Sequence, residues 1–208
     1  MHEGAIIRDN HLIAGAGGGI DLERSYADRG SVPSKLTMTG GLITRNSAVT
    51  SGGGVNVTQG ATFLMTGGTI SYNRAHHGGG VQVDANIDTS GFTMNTATGP
   101  STIDHNYSET FGGGVALNAY VQEGEAYFNF EDGDISYNEA ATAGGGIGFA
   151  HWDSEEAGVD YGNLIVNQSG GTLTHNYAPI GGGFFVSDLH ESQFAQLLEE
   201  VSKHAINL

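Results

Sequence analysis

A triple glycine followed by an apolar residue recurs six times along the chain, beginning at Gly17, Gly52, Gly78, Gly112, Gly144 and Gly181. The intervals are 35, 26, 34, 32 and 37 residues. Ahead of each triplet stands an aliphatic residue followed three places on by asparagine: Ile7/Asn10, Ile43/Asn46, Ile70/Asn73, Ile103/Asn106, Ile135/Asn138 and Leu173/Asn176. A small residue usually follows the asparagine by two: Ala48, Ala75, Ser108, Ala140, Ala178. Self-similarity at such a period marks a repeat architecture, in which one unit cannot bury its apolar face alone and neighbours share a core.

Within each repeat the apolar segments alternate with period two, the signature of strand. A first segment follows the glycines (Ile20-Asp21-Leu22, Val55-Asn56-Val57, Val81-Gln82-Val83, Val115-Ala116-Leu117, Ile147-Gly148-Phe149). A second contains Leu36-Thr37-Met38, Phe63-Leu64-Met65, Phe92-Thr93-Met94, Phe128-Asn129-Phe130 and Leu164-Ile165-Val166, and a third is centred on Ile43, Ile70, Ile103, Ile135 and Leu173. Three short strands per repeat with no helical pattern between them predict an all-β parallel β-helix of about five to six turns, spanning residues 1–187, with neighbouring layers about 4.8 Å apart. Equivalent residues then form ladders. Asn10, Asn46, Asn73, Asn106, Asn138 and Asn176 are expected as an inward structural ladder at one corner, asparagine tolerating left-handed backbone geometry while its amide both donates and accepts. Ile20, Val55, Val81, Val115, Ile147, Phe63, Phe92 and Phe128 are expected in the core.

Residues 188–208 read differently. Asp188 and Glu191 have capping-box spacing, and Phe194, Leu197, Leu198, Val201 and Ala205 share one helical face. An amphipathic helix from about Asp188 to His204 is the expected α-helical cap over the last layer. At the other end the chain enters mid-repeat, which reads as a truncated N-terminus or as an end that associates with another copy.

Composition narrows function. Asp and Glu total 23 against 7 Lys and Arg, a formal charge of −16. Nucleic acid and anionic lipid both demand a basic footprint, so neither is an expected partner. No cysteine is present, which excludes disulfides, thiolate metal sites and cysteine nucleophiles. No apolar run reaches the length of a membrane span and no signal peptide opens the chain, so membrane insertion of this segment is not expected.

The Gly-Gly-Gly-Ile/Val and Ile-x-x-Asn-x-Ala signatures resemble the repeats of chlamydial polymorphic outer-membrane proteins and of related autotransporter-like bacterial surface adhesins. The resemblance runs from Ile7 to Phe184, with Gly in place of the family's Ala and Ile or Leu in place of its Phe. It implies a right-handed β-helix on a bacterial cell-surface or extracellular protein, a segment of a longer secreted chain. It transfers no catalytic residue.

Links between the first and second strands vary most, and function on repeat frames is carried by such loops. The later links hold Tyr120, Glu123, Glu125, Tyr127, Trp152, Asp153, Glu155, Glu156, Asp160 and Tyr161, an acidic and aromatic set suited to binding a glycan or a host or cell-surface protein. Asp84, Asn86 and Asp88 have the odd-position oxygens of a calcium loop, although Thr89 and Asn95 stand where an EF-hand needs Gly and Glu. Ca2+ is thus the one metal considered, and no cofactor is otherwise expected. His76-His77 precedes a glycine corner, and His105 and His175 alternate with Tyr72 and Tyr137 in one column, too far apart to share a metal and better read as a stacked surface row.

The expected role is non-catalytic, adhesin-like binding. Two alternatives stand beside it. A polysaccharide-active hydrolase or lyase needs only paired carboxylates such as Asp132/Asp134 or Glu155/Glu156, but no Lys or Arg lies between Arg74 and Lys203 while 18 acids do, which opposes an acidic substrate. An ice-binding surface would use the outward pairs Thr69/Ser71 and Thr172/Thr174, with Leu42, Arg8, Asp104 and Asp134 interrupting the columns.

Overall fold

Alternating segments rich in Val, Ile and Phe become strands because a pleated chain sends successive side chains to opposite faces. The computed structural model describes residues 1–24, 32–86, 88–119, 124–151 and 162–190, and over these residues the chain is all-β, with no helix. No described helix is long and apolar enough to cross a membrane. All strand pairings are parallel.

The strands form three sheets. One is built from the segments after the glycine triplets, Ile20–Leu22, Val55–Thr58, Val81–Ala85, Val115–Ala119, Ile147–His151 and Phe184–His190, each hydrogen-bonded to its counterpart one repeat away. We call it the triplet sheet. A nine-stranded sheet contains the second and third segments. A three-stranded sheet joins Arg74–Ala75, Tyr107–Ser108 and Glu139–Ala140. This last sheet was not expected. Its strands are two residues long, too short for an alternation to register, yet they explain the small residue after each asparagine. Ala75, Ser108 and Ala140 are its buried members.

Two further differences concern the second and third segments. In the early repeats they run together as single ten-residue strands, Lys35–Thr44 and Thr62–Ser71, because the link is a bend at Gly41 (φ 95°) and Gly68 (φ 109°). In the next repeat the longer link from Asn95 to Pro100 separates Ser90–Met94 from Ser101–Asp104. The expected cap also changes at its start. Asp188, Leu189 and His190 extend the strand Phe184–His190, which pairs with Ile147–His151. There the ladder to the preceding repeat outweighs the local capping pattern. Residues 191–208 lie outside the described residues.

Inward side chains meet their equivalents in register: Ile7, Ile43, Ile70, Ile103, Ile135 and Leu173 form one column. Phe63, Phe92 and Phe128 form another, with rings 4.8 Å apart and nearly coplanar at 11° and 4°. Of the residues expected inside, all are buried except Ile20, which is half-buried because it belongs to the first layer of its sheet.

Each glycine of a triplet serves a different need. The first has positive φ, as at Gly52 (62°) and Gly78 (57°), where an L-residue is strained. The second and third press against the following repeat: a Cβ on Gly53 would lie 2.5 Å from Gly79 O, and one on Gly80 2.5 Å from Gly114 O.

The asparagine ladder forms as expected. Asn46 Nδ2 donates to Asn73 Oδ1 at 3.0 Å, and the rung repeats at 3.0 Å from Asn73 to Asn106, Asn106 to Asn138 and Asn138 to Asn176. Asn10 donates to Asn46 at 2.9 Å. Each Oδ1 also accepts the backbone N–H of the preceding rung, and each Nδ2 reaches a carbonyl one repeat back, as Asn106 does to Ile70 O at 3.0 Å. An interior rung thus makes four bonds and leaves nothing unsatisfied. The left-handed residue is not the asparagine but the one before it: Asp9, Arg45, Tyr72, His105, Tyr137 and His175 have φ between 53° and 57°. Turning the chain one residue earlier is what aims the asparagine inward.

Candidate functional site

Because the inward residues of the triplet sheet are Val and Ile, the residues between them point to its outer face. In register there stand Asp21, Asn56 and Gln82, and beside them Thr58, Asp84 and Asn118. Asp21 is exposed, but the others are buried: Asn56 is 4% exposed, Thr58 6%, Asp84 7%, Gln82 0% and Asn118 1%. The tight turn after Val55–Thr58, closed by Ala61 N–H donating to Thr58 O at 3.1 Å with Gln59 at φ 55° and Gly60 at φ 82°, brings Gln59 to the same face.

Here a cleft of about 630 Å3 opens, lined by Asp21, Glu23, Asn56, Thr58 and Gln59, with Asp84 and Asn86 further along and His76 and His77 at one wall. Its volume falls in the range of small-molecule sites. Asn56 Nδ2 donates to Asp21 Oδ1 at 2.9 Å, and Gln82 Nε2 to Asp84 Oδ1 at 2.9 Å. These contacts fix both amides, and they leave Asn56 Oδ1 and Gln82 Oε1 buried with no hydrogen-bond partner, as are Thr58 Oγ1 and Gln59 Oε1. A buried oxygen without a donor costs about 1–3 kcal/mol, and three of them, on Asn56, Thr58 and Gln59, line the cleft, whereas the fully buried Gln82 does not.

His77 is 5% exposed, with Nδ1 2.5 Å from Thr110 Oγ1 and its ring 5.0 Å from Phe111. Burial, and then the neighbouring His76, lower its pKa to about 3, so the ring is neutral at physiological pH. Beside the cleft Arg74 donates to Glu109 Oε1 at 2.8 Å, and Nδ1 of the lining His76 stands 3.3 Å from Glu109 Oε2; these bonds hold the Glu109 carboxyl below the ordinary carboxylate range. A second cleft of about 310 Å3 lies at the glycine corners between Gly40 and Pro100 and carries one ionisable residue, Glu3.

Of the sequence candidates, Asp84 and Asn86 reach the main cleft. Asp88 is not among its lining residues and pairs with Arg24. No group of three or more His, Asp or Glu side chains that would hold a metal occurs among the described residues. Glu125 accepts from Asn163 Nδ2 at 3.4 Å on the nine-stranded sheet. Tyr127 lies over Gly91 of the preceding repeat, where a Cβ would collide with its ring, so this tyrosine covers its own sheet. Tyr120, Glu123, Trp152, Asp153, Glu155, Glu156, Asp160 and Tyr161 lie outside the described residues. Asp132 accepts from Thr96 Oγ1 at 2.5 Å and Gly133 N–H at 2.8 Å, and Asp134 accepts from Ser136 and Thr172 along the third strands, so each carboxylate already has local donors.

The histidine–tyrosine row forms: Tyr72, His105, Tyr137 and His175 stack at 4.8, 5.2 and 4.9 Å. The threonine columns include Leu42, Thr69, Thr102, Asp134 and Thr172 in register, interrupted where the sequence places Leu and Asp. Sequence reasoning missed Asp21, Asn56 and Gln82. Each sits between two apolar residues and reads as a solvated face. The available signal was that carboxylate and amides recur at one register position. No protein-family model, curated protein or solved structure matches the chain.

Proposed function

We propose that the chain coils as a right-handed parallel β-helix and serves as a non-catalytic, adhesin-like module of a bacterial surface or extracellular protein, binding a glycan along the outer face of the triplet sheet. The coil is supported by parallel pairing of each strand with its counterparts one repeat away, and the hand by the right-handedness of about 98% of parallel crossovers. The observation that carries the binding role is the 630 Å3 cleft whose buried Asn56, Thr58 and Gln59 oxygens have no partner. Sugar hydroxyls supply the missing donors. Stacked layers suit a linear polymer, since neighbouring strands stand about 4.8 Å apart.

A hydrolase is the second reading, favoured by Glu23 and Asp84 lining the same cleft. A glycan array with wild type and Asn56→Ala tests the first. Specific binding lost on substitution supports it. Binding to no glycan, or release of new reducing ends from any bound polysaccharide, overturns it.

A further inference from the structure

The oxygens without partners on this face ask for one kind of ligand. Asn56 cannot turn its nitrogen outward, because Nδ2 is engaged by Asp21 Oδ1 at 2.9 Å and a flipped amide would set two oxygens against each other. Gln82 is held the same way, its Nε2 donating to Asp84 Oδ1 at 2.9 Å and Val83 O at 3.3 Å. What Asn56 presents to the cleft is therefore acceptor only, while Gln82 is fully buried and does not line it. Thr58 Oγ1 and Gln59 Oε1 add two more oxygens without partners, all on residues more than nine-tenths buried. The cleft also carries Asp21, Glu23 and Asp84, and no lysine or arginine is among its described lining residues. A low-dielectric wall sharpens the resulting negative potential.

Neutral hydroxyls satisfy the acceptors but bring no charge to Asp21 and Glu23, and an anionic sugar is repelled. An ammonium group meets both demands with three donors and a positive charge. We propose, resting on the glycan reading above, that the cleft takes a glycan bearing free, unacetylated amino groups. Asp21 and Asn56, and Thr58 and Asp84, stand in register on neighbouring layers, so a linear polymer meets carboxylate and amide oxygens on successive layers of the cleft. His77, neutral by burial, adds no competing positive charge beside them.

The test is calorimetric titration of the full chain at mildly acidic pH with oligomers of glucosamine, N-acetylglucosamine and glucose of equal length and linkage. Glucosamine oligomers are expected to bind about ten-fold tighter than the other two, with the preference collapsing at high ionic strength. The variant Glu23→Gln, which leaves the Asn56–Asp21 bond intact, is expected to lower that preference without a change in melting temperature, and an unchanged preference overturns the amine inference. Equal affinity for all three oligomers overturns the amine inference and leaves the glycan reading standing. Binding of polylysine with no oligosaccharide binding overturns both and makes the cleft a basic-peptide site.

Discussion

The third glycine of each triplet offers an internal control on what holds the layers together. A methyl group at Gly80 would lie 2.5 Å from Gly114 O, 3.0 Å from Ile103 Cγ2 and 3.1 Å from Asn106 Nδ2. The carbonyl cannot yield cheaply, because it accepts the N–H of Val81 at 2.9 Å. At Gly183, the equivalent position in the last described repeat, the nearest atom among the described residues is Leu173 Cδ2 at 3.5 Å. Neither glycine has positive φ, so the two substitutions differ only in what the next layer places there. Overpacking a tight site costs about 1–3 kcal/mol, and displacing a buried carbonyl from its donor about 1–3 more. Gly80→Ala is therefore expected to destabilise by about 4 kcal/mol, a fall in Tm of roughly 10 °C for a chain of this size. Gly183→Ala is expected to be neutral or stabilising by up to about 1 kcal/mol, through the reduced freedom of the unfolded chain. Urea unfolding followed by far-UV circular dichroism measures both, with unchanged m-values confirming that stability alone has moved. Equal losses in the two variants, or none in either, would refute the view that the following layer's backbone imposes glycine here.

Asn106→Ala strands the backbone N–H and Nδ2 of Asn73 and the carbonyl of Ile70, for an expected loss of about 4 kcal/mol, whereas Asn10→Ala, at the exposed end of the ladder, costs under about 1 kcal/mol in the same denaturation assay. His77 has a folded pKa of about 3, below the unfolded 6.5. The unfolded chain therefore binds the extra proton between those values. Its stabilising contribution is complete above pH 6.5 and is lost as pH falls toward 3. By pH 5 the loss is about 2 kcal/mol, and His77→Gln should flatten that slope; an unchanged slope would show that His77 is not the group responsible. At Tyr137, φ is 55°, so Tyr137→Val should destabilise about 1 kcal/mol more than Tyr137→Asn, since a β-branched residue resists the left-handed region that asparagine accepts. Equal Tm values for the two variants would remove the backbone argument.

Much of the architecture was legible because a repeat states the same constraint six times. The inward columns, the asparagine rungs and the Tyr/His row all follow from residues of one type recurring at one register position. The two-residue strands such as Tyr107–Ser108 were not legible, since period two needs more than two residues to be seen. The Asp188–Glu191 spacing misled at Asp188–His190 because a local capping pattern is weak beside a parallel ladder already templated by Ile147–His151.

By itself, then, the chain's periodicity determined that its strands lie parallel and in register, because only that arrangement buries every Ile, Val and Phe column at once. What tertiary structure alone decided is the chemistry of the outer face. Whether an alternating polar residue is bathed in water or enclosed depends on what surrounds the sheet, not on its neighbours in sequence. Asp21 and Asn56 acquire meaning only when stacked beside a cleft, where the amide's nitrogen is consumed and its oxygen left waiting. Asp88, one of three matched calcium candidates, is drawn off by an arginine 64 residues away. Charge and hydrogen-bond pairing are long-range outcomes, and a one-dimensional pattern carries them only where repetition happens to copy the fold's own spacing.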